Sequence, residues 1–249
     1  MSETPSPITL LFTGVPAAAD RFIPGISTVA LVRSAGRTIL FDTGPYAYRP
    51  ILQGRLKRLG IDPAAIDTVV LSHVHWDCAA NADLFPNAQV LIHERELAYA
   101  DAPQTHDART QGYIGRVLRK LRLSPISGEQ DIAEGLRLVE LPGHTPGSMG
   151  LLVGRALLAG DAVTCAGDAV AGEIGYQPVD DPRARESLLR ALTLADIIYP
   201  GHDRAFRIAP KIEYLEDYAL RLRLFTDPAG ADEEIQIGSF AAKSFASWP

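Results

Sequence analysis

In the stretch LSHVHWDC, His73, His75 and Asp77 occupy alternate positions directly after the apolar run TVVLS. The chain has only six histidines, so two within three residues invite a chemical reading. Imidazole and carboxylate are the donors that borderline divalent cations prefer. Along an extended segment a spacing of two keeps all three side chains on one side. Three more segments end in the same kind of residue: LPGH at His144, LLAGD at Asp161 and YPGHD at His202. Taken singly, His144 is a turn residue, Asp161 a strand-end cap and His202 unremarkable. Taken together, each follows the C-terminal end of an apolar strand, the edge where ligands gather in layered α/β folds. The set predicts a metal site.

The elements that must deliver these residues are legible in outline. ITLLFTGVP reads as a short strand, and STVALVRSAGRTILFDTG as a hairpin turning at Ser34-Ala35-Gly36 and ending on Asp42-Thr43-Gly44. PILQGRLKRLG has helical period, with Pro50 near its start and Gly60 as its stop. TVVLS and AQVLIHE are buried strands, the second running into the short helix RELAYA. Residues 101–125 form a partly helical insertion placed to roof a site. The plan then repeats: strand LRLVELPGH, hairpin SMGLLVGRALLAGD, helix DPRARESLLRAL with Asp181 as N-cap and Pro182 in its first turn, and strand DIIYPGH. Each half runs from hairpin to aspartate, then helix, then strand to histidine. EYLEDYALRLRLF reads as an amphipathic helix, and residues 227–249 as a tail without a firm assignment.

Bulk properties set limits. At 249 residues, 47% hydrophobic and 22% charged, the chain fits one soluble α/β domain spanning residues 1–249. A net charge of −6 argues against a nucleic-acid groove, which needs a clustered basic face. Two cysteines, Cys78 and Cys165, make no disulfide framework. Neither a signal peptide nor a membrane span is expected, so the location expected is the cytoplasm, with a small molecule as partner. Monomer and homodimer both remain open.

The ordered set ILFDTG, LSHVHWDC, LPGHTPGSMG, LLAGDAV and YPGHD resembles the metallo-β-lactamase superfamily, nearest its lactonase and glyoxalase-like hydrolases. The resemblance runs from about Ile8 to Arg207. It implies an α/β fold of four layers, an αββα sandwich, with two metal ions at one edge, zinc first and iron or manganese as alternatives. On this likeness His73, His75 and His144 hold the first ion, Asp161 bridges, and Asp77 and His202 complete the second site. Asp42 orients ligands from behind, and Asp77 doubles as the proton carrier in catalysis. The family places a histidine after that aspartate; here Cys78 stands there. Three outcomes follow: a thiolate ligand of a shifted second ion, a weak second site with water in the gap, or one ion beside a small buried thiol.

The implied activity is hydrolysis of a lactone, ester or thioester by hydroxide generated on the ions. Homoserine-lactone hydrolases of the family carry a tyrosine three residues after the bridging aspartate, where this chain has Thr164. Thr164, Tyr46 and Trp76 are the substrate-lining candidates, with Tyr48 and Tyr113 behind them. His93 and His106 read as structural or exposed. Competing classes are a mononuclear iron oxygenase of the persulfide-dioxygenase kind, a metal-dependent cyclase or lyase of secondary metabolism, a nuclease, and a noncatalytic binder.

Overall fold

The computed structural model describes residues 7–17, 25–34, 36–175, 177–208, 211–217, 220–224 and 233–237. Its first sheet carries β1 (Ile8–Phe12), β2 (Val29–Ser34), β3 (Arg37–Phe41), β4 (Thr68–Val70), β5 (Gln89–His93) and β6 (Leu123–Ile126), in that spatial order. The first two neighbour pairs are antiparallel and the remaining three parallel. The second sheet runs from β7 (Gln130–Ala133) at one edge through β8 (Leu136–Glu140), β9 (Met149–Val153), β10 (Ala156–Gly160), β11 (Ile197–Pro200) and β12 (Phe206–Ile208) to β13 (Ile212–Tyr214). Only β10 and β11 pair in parallel there.

Why the strands read as continuous apolar runs is clear from what each face covers. Alternate residues point to opposite faces of a sheet, and both faces here are buried. Ala30, Val32, Ile39, Phe41 and Val70 meet Leu136, Leu138, Met149, Leu151 and Leu158 between the two sheets. The intervening Val29, Leu31, Leu40 and Val69 pack outward on Leu52 and Leu56 of α1 (Arg49–Arg58), Leu97 of α3 (Glu94–Asp101) and Leu118 of α4 (Ile114–Leu118). The short α2 (Trp76–Ala79) lies at the strand ends. Across the molecule, Val139, Leu157, Ala159 and Ile198 pack on Ala166 of α5 (Ala166–Ala171) and on Leu188 and Ala191 of α6 (Arg183–Leu194). Helices outside, two sheets inside: the expected αββα sandwich is the fold.

The repeated plan is real. In each half a hairpin (β2–β3, β9–β10) leads through a helix (α1, α6) to a parallel strand (β4, β11). Gly36 and Gly154 turn the hairpins at positive φ, and Gly60, also at positive φ, ends the turn after α1. Pro182 rather than Asp181 stands at the N-cap of α6, and Asp181, one residue earlier, accepts from the Arg183 N–H at 3.0 Å.

The C-terminal reading is corrected. Instead of an amphipathic helix, Ile212–Tyr214 is a strand, and β14 (Leu220–Leu224) pairs antiparallel with β15 (Glu233–Ile237). The segment LRLRL alternates with period two, which suits a strand and overrides the helical spacing of the residues before it. Most of the 227–249 tail lies outside the described residues. The insertion is helical only over α4 and closes with β6, an edge strand with no clear signal in the sequence. No helix among the described residues is long and apolar enough to cross a membrane.

Candidate metal centre

β4, β8, β10 and β11 all end at one edge of the sandwich, and each strand end releases ligand-type residues. His73 and His75 follow β4, His144 follows β8, Asp161 follows β10 at once, and His202 follows β11. The alternation expected for HxHxD holds only for the two histidines. α2 begins at Trp76 with His75 as its extended N-cap, so Asp77 reaches the site from the first turn of a helix. Its Oδ2 nonetheless lies 3.3 Å from His202 Nε2.

The imidazoles meet by defined nitrogens. His73 Nε2 lies 2.9 Å from His75 Nδ1, and His144 Nε2 lies 3.2 Å from that same atom. The protons are held on the far sides of two of the rings. Ser72 Oγ donates to Asp42 Oδ2 at 2.7 Å, so it is left to accept from His73 Nδ1–H at 2.9 Å. His75 Nε2–H is directed at Asp107 Oδ2, 3.2 Å away. Two lone pairs therefore face each other across a buried gap, which is repulsive unless a cation sits between them. Nitrogens ~2.0–2.1 Å from a tetrahedral ion fall about 3.3 Å apart, close to the spacing seen. Asp161 Oδ2 joins them, 3.1 Å from His144 Nε2 and 3.3 Å from His202 Nε2. Donor atoms of His73, His75, His144 and Asp161 all lie within 4.8 Å of one another, so these four could hold a metal.

Electrostatics agree. Burial, helped by the neighbouring His75, holds His73 well below the usual histidine value, and burial lowers His144 too. Neutral imidazoles are the form that ligates. Burial alone would raise Asp161, but His202 and His144 outweigh it and keep the carboxylate well below its usual range. Burial likewise opposes charge on His202, yet Asp161 and then Asp77 bring it up to about 9. Asp77 Oδ1 and Asp161 Oδ1 are buried with no hydrogen-bond partner among the described residues. Leaving such oxygens unmatched is costly, and a bound cation would satisfy them.

The edge matches one known family. Residues 22–202 fit the pattern of the metallo-beta-lactamase superfamily. The chain belongs to that superfamily. Metallo-beta-lactamase domain-containing protein 1 of Homo sapiens is 32% identical over 211 residues, 78% of this chain and 69% of that protein. An N-acyl homoserine lactonase from a Bacillus species is 27% identical over 158 residues, 59% of this chain and 60% of the lactonase. Among solved structures, the dizinc quorum-quenching lactonase AidC, in complex with a product, superposes with a TM-score of 0.62 at 18% identity, over 79% of this chain and 80% of that one.

Around this superfamily core, the supporting residues divide into those foreseen and those missed. Asp42 acts through Ser72, whose N–H and hydroxyl it accepts, both at 2.7 Å. It does so from a left-handed backbone, φ 55°, that non-glycine residues rarely adopt. Sequence reasoning missed Glu96, buried on α3. Its carboxylate accepts from Val74 N–H at 2.9 Å and Gly147 N–H at 2.7 Å, tying the His73–His75 loop to the loop after His144. It also missed Asp107, where burial works against the charge but hydrogen bonds from His75, Thr110 and Tyr99 hold the carboxyl well below the usual range. Neither residue stands in a motif.

Cys78 is fully buried. Burial pushes its thiol up, reinforced by Asp42, Asp77 and Asp161, so the thiolate is disfavoured without a cation. Its carbonyl accepts from both N–H and Oγ1 of Thr43. Cys165 is structural, its thiol pushed by burial up to about 12. Thr164, a substrate-lining candidate, is buried and gives its hydroxyl to Asp168. Tyr46 is 67% exposed beneath the Arg49 guanidinium, and Trp76 is half-buried with its backbone N–H donating to the Arg109 carbonyl. His93 caps α3 through Nδ1 and bonds Glu140 through Nε2, a structural role as expected, and His106 is exposed.

Proposed function

We propose that this chain is a metal-dependent hydrolase of a small carbonyl substrate, a lactone, ester or thioester. The observation that carries the reading is the convergence of His73 Nε2, His75 Nδ1, His144 Nε2 and Asp161 Oδ2 in one buried cluster, with their protons held on outward partners where the hydrogen bonds define them. His73, His75 and His144 would hold a first ion, and Asp161, Asp77 and His202 would hold a second. Zinc suits three imidazoles and shared carboxylates, and the dizinc relative supports it. When bound, such cations would supply carbonyl polarisation and a water whose pKa is brought to about 7.

The chain's own residues supply the rest. Asp77, with Oδ1 free of protein partners among the described residues and Oδ2 against His202, is placed to hold a water and return its proton to the leaving group. His202 keeps Asp77 and Asp161 together through one nitrogen. Asp42 and Ser72 keep His73 from turning. Cys78, buried and next to Asp77 in the chain, stands where the family places a histidine of the second site, and we assign it as a contact of that position. With the Thr164 hydroxyl committed to Asp168, the carbonyl-side donor of homoserine-lactone hydrolases has no counterpart there, so other acyl substrates are favoured.

The test is a panel of aryl esters, lactones and thioesters assayed before and after chelation, with metal content measured on the same sample. Water added to the product and loss of turnover on chelation are expected. Turnover that survives complete metal removal, or product formed with oxygen uptake or without added water, would overturn the reading.

A further inference from the structure

We propose that Asp107, on the loop following α3, is a positioning residue that locks His75 in its Nε2–H tautomer and thereby sets the ion affinity of the first position. The proposal rests on the metal-hydrolase reading above and assigns a role to the start of the 101–125 insertion. Rather than covering the site, the first loop of that insertion stands behind a ligand.

Asp107 is built into place. Its Oδ2 accepts from Tyr99 Oη at 2.8 Å, Thr110 Oγ1 at 2.6 Å and His75 Nε2 at 3.2 Å, while Oδ1 accepts from Arg109 N–H at 2.9 Å. The His75 imidazole and the Asp107 carboxylate are both shielded from solvent. Tyr99 lies on α3, the same helix that sends Glu96 to Val74 and Gly147. One helix and the loop after it thus hold His75 by its backbone neighbour and by its ring.

The tautomer matters because of what His75 faces. Its Nδ1 lies 2.9 Å from His73 Nε2 and 3.2 Å from His144 Nε2. A proton on Nδ1 would occupy the space a cation needs and would be attracted to either neighbour. Only an acceptor on the Nε2 side keeps the proton away, and Asp107 is that acceptor. Partners of this kind behind a ligating histidine are worth roughly 10–100-fold in metal affinity.

The experiment pairs zinc affinity, by competition with a chromophoric chelator, with long-range ¹⁵N–¹H spectra of the histidine rings in the chelated full chain. Asp107→Asn is nearly isosteric, yet either amide orientation turns its NH2 toward a donor, Arg109 N–H on one side or Tyr99, Thr110 and His75 on the other. The expected result is zinc binding weakened about 10–100-fold, with part of the loss recovered in Asp107→Glu. In the wild type, His75 should show a slowly exchanging proton on Nε2. If Asp107→Asn does not fold, the wild-type spectrum decides alone: a proton on Nδ1, or a mixture of tautomers, overturns the proposal. Wild-type zinc affinity in Asp107→Asn overturns it as well, even where thermal stability falls. Wild-type protein that binds zinc through this arrangement but hydrolyses nothing would defeat the functional reading and leave this one standing.

Discussion

Gly201 should tolerate no side chain, and the reason is Asp161. A Cβ placed on Gly201 would fall 2.0 Å from Asp161 Oδ1, 3.0 Å from the Gly160 carbonyl oxygen and 3.1 Å from Asp161 Cγ. Relieving that contact takes a displacement on the order of 1 Å, since non-bonded carbon atoms sit ≈ 3.5–4.0 Å apart at their optimum and carbon–oxygen contacts only slightly closer. The backbone cannot retreat freely. Gly201 donates to the Val163 carbonyl at 2.9 Å, and its own carbonyl accepts from Thr28 N–H at 2.7 Å. Breaking either bond costs roughly 1 kcal/mol. Moving the carboxylate instead draws Oδ2 from His144 and His202, now 3.1 and 3.3 Å away. Overpacking of this kind costs about 1–3 kcal/mol, which for a chain of this size is a fall in Tm of about 2–12 °C. Gly201→Ala should show that fall after chelation, and its zinc affinity should drop at least about tenfold, because the shifted carboxylate no longer faces the histidines. Thermal unfolding with and without chelator, beside a zinc titration, measures both. A variant that melts with the wild type and binds zinc as tightly would refute the claim that Asp161 is pinned by this contact.

Glu96→Ala should leave the Val74 and Gly147 amides buried without acceptors, at roughly 1–3 kcal/mol each, and should lower zinc retention alongside the denaturation midpoint. In the ion-free protein His202 is raised to about 9 from an ordinary value near 6.5. Its contribution to stability is therefore complete below about pH 6.5 and lost as pH rises through about 9, so denaturation midpoints of chelated protein should fall over that window. His202→Asn should flatten the profile; an identical slope in the variant would refute the assignment. Cys78→Ala should lower metal stoichiometry or second-ion affinity, and Cys78→His should restore or strengthen it; elemental analysis that finds all three proteins alike removes Cys78 from the site. Zinc-loaded protein should melt above chelated protein by an amount that grows with free zinc, about 2.7 kcal/mol at a hundredfold excess over Kd.

The candidate ligands were legible in the sequence because each follows a largely apolar strand of the two packed sheets. Such strands are mostly apolar runs, so their ends are marked, and the imidazoles and carboxylates there stand out against Val, Leu and Ile. That is why His144, Asp161 and His202 group with His73 and His75 on sequence alone, despite the long stretches of chain between them. The residues behind the ligands leave no such mark. Glu96 sits on an amphipathic helix where a glutamate ordinarily faces water, and only the three-dimensional approach of Val74 and Gly147 makes it an acceptor for two loops. Asp107 lies in a stretch with no periodicity at all, and its partner His75 is 32 positions away. Periodicity also misleads where two periods overlap, as in EYLEDYALRLRLF, whose first half suits a helix and whose segment Leu220–Leu224 pairs as a strand. The physical distinction is one of range. Ligand placement follows from strand burial, which each segment encodes locally, whereas the proton position on each imidazole depends on acceptors brought from distant segments. On the proposed reading metal affinity depends on both, so a chain keeping every candidate ligand but losing Asp107, Glu96 or Ser72 would read as intact in sequence and is expected to bind an ion poorly.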